Sequence, residues 1–130
     1  MRVFIFLLSL LFGPAVVLAE DEEVAKSTIE YLEMAPKFTV NLAGQRKYLM
    51  IDVQLMIEGK QNVEKVKKHM PALRHELIML YSGRDDAELA SMEQREALRQ
   101  ESIEAIRKTL DKYENSDGLR DVFFTEFLLN

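Results

Sequence analysis

The stretch Lys47-Tyr48-Leu49-Met50-Ile51-Asp52-Val53-Gln54-Leu55-Met56-Ile57-Glu58 decides the fold. Leu49, Ile51, Val53, Leu55 and Ile57 recur at every second position, and Tyr48, Met50, Asp52, Gln54, Met56 and Glu58 stand between them. Successive side chains on a strand point to opposite faces, so this period of two places the aliphatic row on one side and the mixed row on the other. The run predicts a long central strand with one dry face, where each buried aliphatic side chain contributes about 1.5–3 kcal/mol. Gly59 closes it.

Working outward from this strand, Ile29 to Met34 and Lys37 to Leu42 read as two shorter extended pieces, with Pro36 holding Ala35 in extended geometry. In the second piece Phe38, Val40 and Leu42 alternate with Lys37, Thr39 and Asn41, and the turn from Ala43 to Arg46 contains Gly44. Beyond Gly59, Asn62 is positioned to cap a helix from Val63 to about His69, with Glu64 in its first turn. Pro71 opens a second helix to Tyr81, carrying Leu73, Leu77 and Leu80 at helical spacing, and Ser82-Gly83 stop it. After a short helical turn within residues 84–90, Ser91 and Gln94 form a capping-box pair for a long helix to about Tyr113. Its buried stripe is Leu98, Ser102, Ala105, Ile106, Leu110 and Tyr113. Asn115 to Gly118 is turn-forming. Leu119 to Leu129, with Phe123, Phe124 and Phe127, must then enter the sheet beside the central strand. The order β, β, β, α, α, α, β is that of an α+β domain, an antiparallel sheet with helices packed on one face.

The amino terminus has a different character. Arg2 precedes the apolar stretch Val3 to Phe12, Gly13-Pro14 breaks it, and Val17-Leu18-Ala19 lead into the acidic run Glu20 to Glu23. That layout is a secretory signal over residues 1–19, cut after Ala19. The alternative is retention of residues 3–19 as an inner-membrane anchor, since this span sits at or just below the roughly 17–25 residues of a bilayer crossing. Residues 20–28 are charged and short of large apolar types, a flexible linker, and residues 29–130 form a single domain. The chain has no cysteine, so neither a disulfide nor a cysteine-linked lipid supports it, and stability rests on packing. A formal net charge of −5 without a clustered cationic face argues against nucleic acid as a partner.

Residues for catalysis are sparse. His69 and His75 are separated by Pro71 and do not have the i, i+4 spacing of helical metal ligands. Asp85 and Asp86 stand at a helix start, where the dipole favours carboxylates without any catalytic duty. No glycine pattern of a phosphate loop is present. The sequence therefore offers no catalytic, cofactor-binding or metal-binding residue and no small-molecule substrate site; it reads as a binding domain and not an enzyme. Among the methionines, Met70, Met79 and Met92 are expected to fill the core. Met50 and Met56 share the mixed face of the central strand with Tyr48. Unless helices also cover that face, Tyr48, Met50 and Met56 present an apolar strip suited to protein contact or to pairing of copies.

Several strings carry a family resemblance: Tyr31 to Leu42 with Met34-Ala35-Pro36-Lys37-Phe38 at its centre, then Arg46-Lys47-Tyr48-Leu49, the Pro-led Pro71 to Ile78, Gln94 to Arg99, and the ending Val122 to Asn130. In this order and spacing the chain resembles the periplasmic domain of FliL, the flagellar basal-body protein. The resemblance implies a stomatin-like fold on the periplasmic side of the inner membrane at the basal body. It also implies association with stator units and assembly of copies into rings, in support of flagellar rotation, swimming or swarming, and chemotaxis, without catalysis. The short, broken leader departs from the family's longer cytoplasmic lead and unbroken membrane helix. A soluble periplasmic scaffolding module acting away from the flagellum is the competing reading.

Overall fold

The computed structural model describes residues 28–130. Elements follow in the order β1 (Ile29–Glu33), β2 (Phe38–Asn41), β3 (Tyr48–Glu58), α1 (Lys60–Lys68), α2 (Met70–Tyr81), a 3-10 turn (Asp86–Leu89), α3 (Met92–Tyr113) and β4 (Leu119–Leu129). This is the α+β architecture expected from the sequence: a four-stranded antiparallel sheet with three helices. The signal or anchor at residues 1–19 and the linker up to residue 27 lie outside the described residues. Among the described residues, no helix is long and apolar enough to cross a membrane.

β3 is the axis of the sheet. β4 runs antiparallel to it from the Leu49–Leu129 pair to the Ile57–Leu119 pair. Because one edge of β3 is thereby occupied, β1 and β2 share the other, in line: β1 pairs with Gln54 to Glu58 and β2 with Tyr48 to Ile51. Between them the Met34 N–H still donates to the Val53 carbonyl at 2.9 Å, and the chain crosses Ala35–Pro36 as a cis peptide. β4 changes register at two places, between Asp52 and Val53 and between Met56 and Ile57 of its partner strand. Each irregularity resets which face the following side chains occupy.

The aliphatic row Leu49, Ile51, Val53, Leu55 and Ile57 is wholly removed from solvent. It packs with Phe38 and Val40 of β2, Val63 and Val66 of α1, Leu73 and Leu77 of α2, and Leu98, Ile106 and Leu110 of α3. α2 and α3 are further joined where the Tyr81 hydroxyl meets Ser102 Oγ at 2.7 Å in the interior, with the Tyr81 ring edge-on to Phe38 and Phe124. The Ser91 cap forms as expected: the Gln94 N–H donates to Ser91 Oγ at 3.1 Å, and Gln94 Oε1 accepts from the Ser91 N–H at 3.3 Å.

Three local expectations are corrected. Asn62 does not cap α1. Gly59, at φ 94°, turns the chain at once out of β3, and its carbonyl accepts from the N–H groups of Asn62 and Val63, so the helix begins at Lys60. Asn62 then stands inside the first turns, where its Nδ2 donates back to the Glu58 carbonyl at 2.8 Å. Tyr113, the last residue of α3, is exposed and lies flat against the His69 ring at 5.4 Å instead of filling the core. Met79 and Met92 are 65% and 78% exposed, the first on the outer side of α2 and the second at the open start of α3; Met34 is the methionine fully buried in the core.

Candidate interaction surface

With all three helices on the aliphatic face, the other face of the sheet carries no covering layer among the described residues. Tyr48, Met50 and Met56 sit on it, each half-buried by its neighbours in the sheet. Side chains of directly paired residues share a face, so the register brings further groups beside them. Tyr31 of β1 pairs with Met56 and Ile29 with Glu58; Leu128 of β4 pairs with Met50 and Phe123 with Gln54. Tyr31 is 62% exposed, and its ring reaches over β3 to lie 6.4 Å from that of Phe123. The strip anticipated on one strand is thus a patch across three strands, with Ile29, Tyr31, Phe123 and Leu128 added to Tyr48, Met50 and Met56. Patches of this kind, apolar and aromatic with a polar rim, are the usual substance of protein-binding surfaces.

Charges border the patch unevenly. Asp52 pairs with Glu126 across the β3–β4 ladder, and Glu33 pairs with Gln54 from β1. Lys37 is hydrogen-bonded to the Glu126 carboxylate, and that bond, with the attraction of the same carboxylate, raises the Lys37 ammonium above its ordinary range. Asp52 Oδ1 is shielded from solvent and has no hydrogen-bond partner. The Tyr48 hydroxyl is engaged at the rim by the side chain of Asn130.

The other residues weighed for chemistry have structural occupations. Asp86 forms an ion pair with Lys47 at 2.9 Å, which lowers its pKa, while Asp85 is solvated at the start of the 3-10 turn. His69 lies between α1 and α2 with Nε2 3.5 Å from Glu114, whose carboxyl is held below its usual range chiefly by Lys68; His75 is exposed. Among the described residues, no group of three or more His, Cys, Asp or Glu side chains converges as a metal shell.

The family model described as flagellar basal body-associated protein FliL matches residues 31–129, from β1 to the end of β4. The chain belongs to the FliL family. Among curated relatives it is similar to the flagellar protein FliL of Aquifex aeolicus, 31% identical over 99 residues, covering 75% of this chain and 59% of that protein. It is likewise similar to the flagellar protein FliL of Escherichia coli K12, 28% identical over 92 residues, covering 71% of this chain and 60% of that protein. The chain thus matches about three fifths of the length of these FliL proteins. The span matched by the FliL family takes in the sheet from Tyr31 onward and all three helices, and with them both rings of the Tyr31–Phe123 contact.

The sequence alone named three residues of this surface and missed four. Tyr31 and Ile29 were legible as alternate positions of an extended piece, but which face they shared with β3 depends on register. Phe123 and Leu128 were not legible. They fall on opposite sides of the irregularity near Asp52, and a count of odd and even positions through it gives the wrong face for one of them.

Proposed function

We propose that this FliL-family chain is an accessory protein of the bacterial flagellar motor, acting by binding and not by catalysis. On this reading it works on the periplasmic side of the inner membrane, delivered there by residues 1–19, either cleaved after Ala19 or retained as an anchor. Its bare sheet face, centred on Tyr31, Met50, Met56 and Phe123, meets stator or basal-body proteins, and copies associate with one another at the motor. The observation that carries the reading is the match to the flagellar basal body-associated family over residues 31–129. The uncovered apolar patch supports the binding mode, since an apolar face on an otherwise charged domain is unfavourable in water unless a partner removes it.

Deletion of the gene in its native host, followed by complementation with a tagged full-length chain, tests this directly. Reduced swimming or swarming that complementation restores, with recovery of stator or basal-body proteins on the tagged chain, is the expected outcome. Normal motility together with a tagged chain that purifies free of flagellar proteins would favour the scaffolding role away from the flagellum.

A further inference from the structure

A second feature lies along the outer edge of β4. The Tyr48 and Asn130 backbones exchange both hydrogen bonds at 3.0 Å, so by the alternation of an antiparallel ladder Leu129 and Phe127 turn their N–H and C=O groups outward. No strand pairs with that edge among the described residues. At Val122 the edge is closed by side chains: Asp121 Oδ1 accepts its N–H at 2.8 Å, and Arg99 Nη1 donates to its carbonyl at 2.9 Å. From Phe124 to Leu129 no such closure is present among the described residues. An apolar edge left open is a template for another strand, and proteins commonly block it when it has no use.

Beside this open stretch runs a groove of about 290 Å³ between β4 and the start of α3, walled by Phe123, Phe124 and Phe127 on one side and Met92 and Arg95 on the other. Arg95 is held in place: its Nε donates to the Leu89 carbonyl at 3.2 Å and its guanidinium lies 4.5 Å over the Phe127 ring. Among the described residues it has no carboxylate partner, for the groove's own Glu96 is engaged by Arg99. The place therefore combines outward backbone groups, an apolar slot and a positioned cation whose counter-charge is not supplied from within.

We propose that the outer edge of β4 from Phe124 to Leu129, with the adjoining groove, binds an extended peptide segment of another protein that sets an apolar side chain against Phe124 and Phe127 and a carboxylate on Arg95. Backbone hydrogen bonds to the edge supply binding, and the slot and Arg95 supply selectivity. A basic segment is disfavoured by Arg95, and pairing stops short of Val122, whose backbone groups are already taken. This site adjoins the bare face at Phe123, whose ring turns toward Tyr31, and it does not depend on the flagellar reading.

The test is titration of the isotope-labelled full-length chain with an end-blocked hexapeptide of alternating valine and phenylalanine carrying one glutamate, and with its lysine counterpart. Saturable shifts and slowed amide exchange at Phe127 and Leu129 but not at Val122 are expected. The glutamate peptide should bind about tenfold or more tighter, as one charge-assisted hydrogen bond would give. Arg95→Gln should erase that preference while leaving the fold intact. Leu129→Pro, which removes one outward N–H and spares the ladder to β3, should weaken both peptides. Equal affinity for the two peptides, shifts centred on Tyr31 and Met56, no shifts at millimolar peptide, or protection of this edge by dimerisation without peptide would each overturn the proposal.

Discussion

Tyr31 and Phe123 bring their rings to 6.4 Å although their strands are never neighbours, since β3 runs between β1 and β4. The two side chains lean toward each other over Gln54 and Met56 and make one surface out of three strands. Their contact lies on the face opposite the core, so on the proposed reading it matters less to folding than to the surface offered to a partner.

Replacing Met50 and Met56 together with lysine should therefore spare the fold and damage association. The side chains stand outside the helical core, and surface changes of this type are usually within about 0.5 kcal/mol in stability. Two cations at the centre of the patch would leave unpaired charges in any contact. Circular dichroism should show an unchanged cooperative melt, while co-purification with motor proteins and self-association measured by light scattering should fall. Unaltered recovery of partners and an unaltered oligomer would place the interface elsewhere.

Ser102 Oγ donates to the Leu98 carbonyl at 2.8 Å, so at the buried contact with Tyr81 the phenol is the donor. Burial raises the Tyr81 pKa far above its ordinary value, and the hydroxyl stays protonated over the whole useful pH range. Tyr81→Phe removes a single hydrogen bond and should cost about 1 kcal/mol. Tyr81→Ala also empties the space between Phe38 and Phe124 and should cost about 3–5 kcal/mol. Urea denaturation measures both; equal losses would mean that packing around the ring contributes nothing.

Acid sensitivity should arise from surface ion pairs. The Glu96 carboxyl is lowered from 4.5 to about 2, first by its hydrogen bond from Arg99 and then by Gln100. Asp86 and Glu114 are lowered as well, through Lys47 and Lys68. A depressed carboxyl binds fewer protons in the folded state than in the unfolded state. Its contribution is complete above the unfolded pKa and is lost as pH falls through the folded one. The melting temperature should thus be level above about pH 5 and decline between about 4.5 and 2, with a shallower decline in Glu96→Gln. A melting temperature that rises on acidification over that window would contradict the assignment.

Lys65 is only 7% exposed and spends its ammonium on Asn62 Oδ1 at 3.1 Å, Asn115 Oδ1 at 2.5 Å and the Asp117 carbonyl at 2.8 Å. It ties α1 to the turn that launches β4. Lys65→Met leaves these acceptors without their donor and should cost about 1–3 kcal/mol. Gly118, in the same turn at φ 87°, has no room for a side chain: a Cβ there would come within 2.3 Å of Asn62 Nδ2. Gly118→Ala should destabilise by displacing Asn62 as well as by backbone strain. Because both changes act on Asn62, their combined effect in denaturant should be smaller than the sum; strict additivity would show that they act independently.

The chain's own order of residues determined the sheet's central strand, the succession of elements, the Ser91–Gln94 cap and the aliphatic core. Each rests on a period or a pairing local enough to be written in consecutive residues. It also marked Tyr48, Met50 and Met56 as a face apart, since alternation within one strand needs no knowledge of its neighbours. Only the tertiary structure decided that Tyr31, Phe123 and Leu128 join them. Facing across strands depends on register, and one extra residue in β4 exchanges its two sides. Asn62 likewise looked like a cap until the turn at Gly59 started the helix before it, and Arg95 became a candidate recognition group only when the fold set it over Phe127 beside an open strand edge. Patterns along the chain fix what each element must bury; what the finished surface presents depends on how distant elements are brought side by side.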